Sequence, residues 1–272
     1  MQAHYAFIGG GNMGRALIGG LIAAGHPVDA ISVADSAAVA REACTREFGV
    51  AAGADNAAAV RNADVVVLAV KPQQLGAVAR ALADSMPAHA LVVSIAAGIT
   101  LERLAAWLGT TRPLVRAMPN TPALIGRGAS ALVANAHAGE AERTRAAELL
   151  GAVGLAVWLD DERQMDAVTA LSGSGPAYYF LFIEHMEAAA VALGLPTVLA
   201  RELALATAAG ATALAAQSAE APETLRQQVT SPGGTTERAL ASFAADDLAG
   251  IVQRALTAAR DRSVELARQA VS

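Results

Sequence analysis

The sequence contains few of the residues that build disulfides, metal centres or nucleic-acid surfaces. Its one cysteine, Cys44, excludes an intrachain disulfide and a zinc site made of several cysteines, which fits a reducing compartment. Charged residues make up only 17% of the chain and give a formal net charge of −5, whereas a nucleic-acid-binding protein would carry a basic stripe. No run of lysine and arginine indicates a membrane-surface patch. We therefore expect no metal, no nucleic-acid partner and no membrane partner.

Targeting and membrane-spanning segments are also missing from the pattern. The N-terminus lacks a basic stretch followed by an apolar core segment, and its apolar residues lead directly into glycines. The most apolar long segment, residues 176–194, is interrupted near its middle by Glu184, His185 and Glu187. A membrane span of about 20 apolar residues is therefore not expected there. These features predict a cytoplasmic protein.

The first 160 residues alternate short β-rich runs with helical stretches, which predicts a doubly wound α/β domain of Rossmann type. Val65–Val70 and Leu91–Ile95 are continuously apolar, as in strands buried on both faces of a parallel sheet. The predicted strands are Ala3–Ile8, Ile31–Ala34, Val65–Val70, Ala90–Ile95, Leu114–Ala117, Ser130–Ala134 and Leu155–Leu159. Crossover helices are predicted over Met13–Ala24, Ala37–Phe48 and Gln74–Ala83.

After about Asp161 the strand-like runs disappear and helices rich in alanine and leucine follow. We expect a dinucleotide-binding domain over residues 1–160 and an all-helical domain for substrate binding and dimerisation over residues 161–272. The first helix, Pro176 to Gly194, is apolar on more than one face, so we expect a second chain to cover part of it. The later helices are predicted over Thr197–Gln217, Pro222–Val229, Thr236–Phe243 and Asp247–Ala270.

A glycine-rich segment directly after the first strand predicts a dinucleotide site. The spacing G-x-G-x-x-G runs from Gly9 to Gly14, where a helix begins. In this pattern Gly9 allows a tight turn, Gly11 lets the backbone approach a pyrophosphate, and Gly14 lets helix and strand pack closely. Asn12 and Met13 lie at the helix N-terminus, which offers partial positive charge to the phosphates. A glycine turn without a ligand is the alternative.

The end of the second strand bears on the choice between NAD(H) and NADP(H). Asp35 lies 21 residues after Gly14, where an acidic residue commonly binds the ribose 2′-hydroxyl of NAD and repels the 2′-phosphate of NADP. Asp35 and Ser36 could equally form an Asx turn that opens the next helix. No arginine is adjacent in sequence, and Arg41 is a helical turn further along. These residues favour NAD(H) and leave the choice open.

Two further segments follow strands at the carboxyl edge of the predicted sheet, where ligands bind in this class of fold. Val70 ends the third strand and Lys71 and Pro72 follow it, and the lysine either approaches the cofactor or is simply solvated. Ala96 and Gly98 follow the fourth strand. Their small size would let a nicotinamide lie close, although an ordinary turn explains them equally well.

Three later segments, together with the glycine-rich segment, resemble the signature blocks of pyrroline-5-carboxylate reductases. They are residues 116–122 (R-A-M-P-N-T-P), 171–178 (L-S-G-S-G-P-A-Y) and 229–236 (V-T-S-P-G-G-T-T). Their order and approximate spacing match that family from end to end. The resemblance implies reduction of 1-pyrroline-5-carboxylate to L-proline with NADP(H) or NAD(H). It also implies a Rossmann domain followed by a helical dimerisation domain, and dimers that assemble further into decamers.

The last block also has a chemistry of its own that suits a carboxylate. Two glycines flanked by hydroxyl side chains, just before a helix, can present several backbone N–H groups to an anion. An ordinary loop with a threonine N-cap is the alternative. The resemblance implies that Thr236 contacts the ring nitrogen, and that this loop serves the cofactor domain of the partner chain. It assigns the substrate carboxylate to Ser231, Gly233, Gly234 and Thr235.

The same resemblance implies roles for three further residues. Glu220 would lie near the substrate amine. Asn56 would contact the adenosine ribose, with a helix cap as the alternative. Asn120 would line the nicotinamide pocket, although the prolines of its block suggest that the segment mainly shapes a loop.

The absence of a catalytic base is informative about the reaction. None of the five histidines lies in a recognisable base motif, and reduction of an already protonated cyclic imine requires little proton transfer. A β-hydroxyacid reductase usually carries a lysine acid in the first long helix of its second domain, and Pro176 to Gly194 contains none. A related imine reductase and a non-catalytic NAD(P)-sensing protein remain as alternatives, and a sensor would not need the anion-binding loop.

Overall fold

An eight-stranded sheet forms the first part of the chain in the computed structural model, which describes residues 3–269. The strands are β1 Tyr5–Ile8, β2 Ile31–Ala34, β3 Ala51–Gly53, β4 Val65–Leu68, β5 Leu91–Ser94, β6 Leu114–Met118, β7 Gly128–Ala134 and β8 Gly154–Trp158. The helices are α1 Asn12–Ala23, α2 Ala38–Phe48, α3 Asn56–Val60, α4 Pro72–Leu82, α5 Leu101–Leu108, α6 Glu140–Gly151, α7 Met165–Val168, α8 Gly175–Ala192, α9 Thr197–Gln217, α10 Pro222–Gln228, α11 Thr235–Ala245 and α12 Leu248–Gln269.

The strand order is β3-β2-β1-β4-β5-β6-β7-β8. Neighbouring strands are parallel except β6 and β7, which are antiparallel. The first six strands therefore have the 3-2-1-4-5-6 order of a doubly wound nucleotide-binding sheet. This confirms the predicted Rossmann-type fold. It also places the carboxyl ends of β1, β2, β4 and β5 at one edge.

The central strands are buried on both faces because alternate residues enter two different cores. In β1, Tyr5 and Phe7 pack into one apolar cluster, and Ala6 and Ile8 pack into the other. Strands β4 and β5 are fully buried in the same way. Such strands require apolar residues at every position, which is why their continuous apolar runs were recognisable in the sequence.

The chain forms two compact units. One runs through Ser174 and includes the chain again from Ala259, and the other is Gly175–Ala258. This division differs from the predicted boundary at residues 160/161, because Met165 of α7 is buried against β7 of the sheet. In addition, the Ser263 hydroxyl of α12 donates to Asp166 Oδ1 at 2.7 Å, which joins the end of the chain to the first unit. The functions assigned to residues 1–160 and 161–272 stay a prediction.

Several elements differ from the sequence-based prediction. Strand β3 and helices α3, α5 and α6 were not predicted, and β7 and β8 begin earlier than expected. Helix α10 ends at Gln228 rather than Val229, and α11 begins at Thr235 rather than Thr236. Ala270, predicted as the end of the last helix, lies outside the described residues, as do the outermost residues of the two predicted domains.

The second unit exposes many large apolar side chains. On α8, Tyr179 and Phe180 are 64% and 65% exposed. Within residues 3–269, α9 is the one helix long and apolar enough to cross a membrane. A single helix of this kind is weak evidence for a membrane span. These surfaces need covering by something outside the unit.

Candidate active site

Of the three glycines of the G-x-G-x-x-G spacing, Gly9 and Gly14 are crowded and Gly11 is open. Gly9 has a φ of +109°, and a Cβ there would lie 2.6 Å from the carbonyl oxygen of Ala69. A Cβ on Gly14 would lie 2.5 Å from the carbonyl oxygen of Gly9. By contrast, a Cβ on Gly11 would meet no heavy atom within 4 Å. The backbone is therefore packed against β4 and α1 and left open where a pyrophosphate would approach.

The N-terminus of α1 is available to an anion. Its N-cap, Gly11, contributes no side-chain hydrogen bond, and the first turn contains no acidic residue. Gly11 and Asn12 are exposed, and Met13 is half-buried. The first N–H groups of a helix lack intrahelical acceptors and carry partial positive charge. The turn therefore fits the phosphates of a dinucleotide.

Asp35 anchors the glycine-rich turn to the start of α2. One carboxylate oxygen accepts from the Gly10 N–H at 2.8 Å, and the other accepts from the Ala37 N–H at 2.8 Å. The second bond is the Asx turn that was one of the two alternatives for this residue. Asp35 thus has a structural reason to be acidic, and it lies beside Gly10 at the carboxyl edge of the sheet.

Arg41, a helical turn after Asp35 in the sequence, folds back onto the backbone of Asp35. Its guanidinium Nη1 donates to the carbonyl oxygens of Asp35 and Ser36 at 2.9 and 3.0 Å. Side chains on a helix lean toward its N-terminus, so an arginine in the first turn of α2 reaches back over the residues before it. The structure therefore brings a positive charge to the same segment as the Asp35 carboxylate.

Cys44 lies underneath the glycine-rich turn. Its side chain is fully buried, and a Cβ on Gly10 would lie 2.9 Å from its Sγ atom. Burial is the main cause that raises the pKa of the thiol, with Asp35 and Glu47 adding to it against Arg15. The group is therefore a neutral packing element, and only a small residue at position 10 fits above it.

The segments after β4 and β5 lie at the same carboxyl edge. A Cβ on Gly9 would lie 3.1 Å from the backbone nitrogen of Val70, so this segment touches the glycine-rich turn. Lys71 is the exposed N-cap of α4, and Pro72 is at its first position, where the missing N–H is harmless. Ala96 is 5% exposed. Gly98 has a φ of +75° and packs against the backbone of α12 at Ala267.

Asn56 is not the helix cap that was its alternative explanation. Asp55 caps α3, with Oδ1 accepting from the Ala57 and Ala58 N–H groups at 2.9 and 3.2 Å. Asn56 is the first residue of α3 and is half-buried. Its side-chain amide makes no hydrogen bond to a residue between positions 3 and 269.

Asn120 joins two of the family-like blocks. Its Nδ2 donates to the carbonyl oxygen of Ser172 at 3.0 Å, and its Oδ1 accepts from the Ala129 N–H at 2.8 Å. Close by, a Cβ on Gly173 would lie 2.5 Å from Cε of Met118. Residues 169–173 form a π-helical turn, a distortion frequent at functional sites. These contacts give Asn120 a positioning role for the blocks at 116–122 and 171–178.

The N-cap of α11 is a glycine of the loop that precedes this helix. Gly234 is the N-cap, which makes the threonine N-cap alternative wrong, and Thr235 and Thr236 are the first two helical residues. The Gly234 N–H donates to the Ser231 carbonyl oxygen at 3.0 Å and closes the turn. Because glycine contributes no capping side chain, the first N–H groups of this 11-residue helix remain available to a ligand.

A carboxylate already bonds to this loop. Glu237, at the third position of α11, accepts the Gly233 N–H through Oε2 at 2.7 Å. Sequence reasoning missed Glu237, although an acidic residue at the third helical position is a known partner for N–H groups before a helix. Glu220 lies in the turn between α9 and α10, is exposed, and has no ion pair within the described chain. Its backbone N–H donates to Ser218 Oγ at 3.0 Å.

No group of three or more histidine, cysteine or acidic side chains in the described part of the chain could hold a metal ion.

Comparison with known proteins identifies the family. Residues 4–98 match the model of NADP oxidoreductase, coenzyme F420-dependent, and residues 162–266 match that of pyrroline-5-carboxylate reductase dimerisation. The chain is 53% identical to a pyrroline-5-carboxylate reductase of Pseudomonas aeruginosa over 264 residues, which is 97% of each protein. The chain belongs to the pyrroline-5-carboxylate reductase family.

Solved structures of this family have the same fold. One from Coxiella burnetii is 41% identical, with a TM-score of 0.93 over 98% of this chain and 99% of that one. One from Plasmodium falciparum with NADP bound is 28% identical, with a TM-score of 0.87 over 98% of each chain. The family resemblance and the two-part fold class are thus confirmed. The region that matches the dimerisation model contains the exposed apolar helices α8 and α9, so the chain forms an oligomer.

Proposed function

We infer that this chain reduces 1-pyrroline-5-carboxylate to L-proline with NAD(P)H, the final step of proline biosynthesis. The observation that carries this function is the 53% identity to a reductase of that name over 97% of both chains. A match of this extent includes the glycine-rich turn and the loop before α11 together. A β-hydroxyacid reductase or an NAD(P) sensor would not account for both.

The reaction places few chemical demands on the side chains. The substrate enters with its ring nitrogen protonated, so its C=N carbon is already electrophilic. The nicotinamide, when bound, supplies the hydride that forms the new C–H bond, and the C=N π electrons become the nitrogen lone pair. The protein has to hold donor and acceptor carbons at near-attack distance and orient the nitrogen. This requirement explains the lack of a dedicated acid.

We propose that the turn of Gly9, Gly11 and Gly14 holds the pyrophosphate, with Asn12 and Met13 at the N-terminus of α1. The crowding at Gly9 and Gly14 and the open space at Gly11 support this placement. The other proposed cofactor contacts, all in the first unit, are Asp35, Ser36, Asn56, Val70, Lys71, Pro72, Ala96, Gly98 and Asn120. Arg41 joins them, because its guanidinium bonds to the segment where a 2′-phosphate would lie.

The proposed substrate contacts come from the second unit. The substrate carboxylate binds the loop of Ser231, Gly233, Gly234 and Thr235, where the glycine cap leaves N–H groups available. Thr236 is the proposed catalytic contact, and its hydroxyl orients the ring nitrogen. Glu220 is the proposed partner of the amine. The Glu237 carboxylate now bonded to Gly233 has to share this N–H with the substrate or give it up.

Initial rates test this function directly. Purified protein should oxidise NADPH or NADH only when 1-pyrroline-5-carboxylate is added, and equal rates with and without it would contradict the proposal. Thr236→Ala should lower kcat by about tenfold or more, as for loss of one oriented hydrogen bond, while cofactor affinity stays within about twofold. Thr236→Ser keeps the hydroxyl and should restore most of the rate. If cofactor affinity fell as far as the rate, the placement of Thr236 would be wrong.

The assembly and the compartment are also part of the proposal. We propose a homodimer that assembles further into a decamer, in the cytoplasm, with no membrane or nucleic-acid partner. The exposed apolar faces of α8 and α9 and the negative net charge support this proposal. Sedimentation of the purified protein distinguishes a dimer from a decamer by mass.

A further inference from the structure

A cavity of about 730 Å³ lies in the first unit between α4, α5 and the last turn of α12. None of the fingerprint glycines lines it, and Pro72 is the one lining residue among the proposed cofactor contacts. Its wall is mostly small or apolar, and the charged side chains in the wall are Arg80 and Arg103. Gln73 and Gln269 add neutral amides. The cavity therefore has cationic groups and no acidic group in its lining.

Trp107 holds the two guanidinium groups together. The Cζ atoms of Arg80 and Arg103 lie 5.7 and 6.0 Å from the centroid of the indole ring. The ring itself is fixed against α4, since a Cβ on Gly76 would lie 3.1 Å from it. Cation–π attraction offsets part of the repulsion between two like charges. Neither arginine forms an ion pair with a residue in the described range.

One donor of this pair has no acceptor. The Nη1 atom of Arg103 is buried and has no hydrogen-bond partner within the described chain. Buried N–H groups in proteins are normally satisfied. Arg112 in the same unit shows the usual outcome, because its guanidinium donates to three backbone carbonyl oxygens. The Arg103 Nη1 donor is therefore free for an acceptor that residues 3–269 do not supply.

We propose that this cavity binds the oxyanion of a small organic molecule, a phosphate or a carboxylate, between Arg80 and Arg103. Guanidinium groups bind both kinds of oxyanion through paired N–H donors. The volume exceeds that of the oxyanion alone, so the rest of the ligand lies against Trp107 and the small residues of the wall. The chain as a whole has a net charge of −5, whereas this cavity has two positive charges in its lining. This local positive charge favours the binding of an anion.

Tryptophan fluorescence tests the proposal, because the chain has only two tryptophans. Trp158→Phe leaves Trp107 as the sole reporter. This variant is first saturated with NADP⁺, so that the dinucleotide site is filled. It is then titrated with inorganic phosphate, and separately with acetate, at constant ionic strength. We expect a saturable change in emission with at least one of them, and the tighter of the two identifies the oxyanion.

Substitution of the arginines locates the site. Arg80→Gln with Arg103→Gln should weaken binding by about tenfold or more, since two charge-assisted hydrogen bonds are lost. Arg46→Gln, an exposed arginine of α2, should leave the affinity within about twofold. If circular dichroism shows that the double variant does not fold, the affinity of the single variant Arg80→Gln tests the site instead, because Arg80 is exposed. No saturable change, or equal affinity in the arginine variants, would overturn the proposal.

Discussion

At the scale of single residues, the glycines at positions 9, 11 and 14 are each required for a different physical reason. Gly14 is required because the backbone of Gly9 lies where its side chain would be. Gly9 combines a left-handed φ with a close approach to Ala69. Gly11 has neither constraint, and it is the N-cap of α1. Folding explains Gly14 and Gly9, whereas for Gly11 we propose that the approach of the cofactor pyrophosphate is the reason.

Alanine substitution separates these demands. Gly14→Ala forces a Cβ to within 2.5 Å of a carbonyl oxygen, so we expect the free energy of unfolding to fall by about 1–3 kcal/mol. Gly11→Ala has space for its Cβ and should change stability by only about 0.5 kcal/mol or less. It should instead raise the KM for the cofactor about tenfold, by blocking the backbone approach. Denaturant unfolding and initial rates measure the two effects, and loss of stability in Gly11→Ala would contradict this account.

We propose that Arg41 sets the discrimination between NADPH and NADH. Its guanidinium lies on the backbone of Asp35 and Ser36, so removing it should weaken binding of a 2′-phosphate and leave the ribose hydroxyl unaffected. Arg41→Ala should raise the KM for NADPH about tenfold and change that for NADH by less than about twofold. Arg46→Ala on the same helix is the matched control and should change neither. Equal changes for both cofactors would show that Arg41 acts only on the local fold.

The sequence predicts these residues unequally. The glycine spacing, Asp35 and the loop at residues 229–236 are linear patterns, so they are recognisable without a structure. Arg41 and Glu237 act through the direction of long side chains that reach back toward the start of their helices. The rules for such contacts apply only once the residue at which each helix starts is known, and the sequence patterns did not place those starts at Ala38 and Thr235.

At the scale of elements, one buried arginine holds the ends of two helices. The Arg112 guanidinium donates to Ala83, just past α4, at 3.3 Å, to Leu108 at the end of α5 at 3.3 Å, and to Pro87 at 2.6 Å. Arg112 is 8% exposed, and burial lowers its pKa. Carbonyl oxygens at helix ends lack intrahelical donors, and a cation there also suits the helix dipole.

Loss of this contact should destabilise the first unit. Arg112→Met keeps most of the side-chain volume and leaves three carbonyl oxygens without their donor, so the free energy of unfolding should fall by about 2–4 kcal/mol. Arg112→Lys retains the charge with one donor group and should recover part of that loss. Chemical denaturation followed by circular dichroism measures both. A change below about 0.5 kcal/mol in Arg112→Met would refute the role as a helix clamp.

Elements were predictable where burial imposes one pattern. Strands β1, β4 and β5 are apolar at successive positions because both faces are buried. Strand β3 has only three residues, Ala51–Gly53, and lies at the sheet edge with exposed positions, so no pattern marks it. Helix α6 buries Ala146, Leu149 and Leu150 among many charged residues. In an alanine-rich chain, such a narrow apolar face does not distinguish this helix from its surroundings in the sequence.

At the scale of the whole molecule, the chain combines a nucleotide-binding sheet with helices whose exposed apolar faces belong to an oligomer. Sequence patterns predicted both units, because strand alternation and long apolar helices are properties of whole segments. They could not give the division at Ser174 and Ala259. That division depends on Met165 packing on β7 and on the bond between Ser263 and Asp166, which are contacts between distant positions.

The central claim is hydride transfer to the imine carbon of 1-pyrroline-5-carboxylate, and isotope transfer tests it most directly. The protein is incubated with the substrate and NADPH deuterated at C4 of the nicotinamide, and the product is examined by mass spectrometry and proton NMR. The account predicts L-proline carrying one deuterium at the ring carbon that was doubly bonded to nitrogen, when the transferred C4 position is labelled. Cofactor oxidation without labelled proline, or no oxidation above the substrate-free rate, would contradict it.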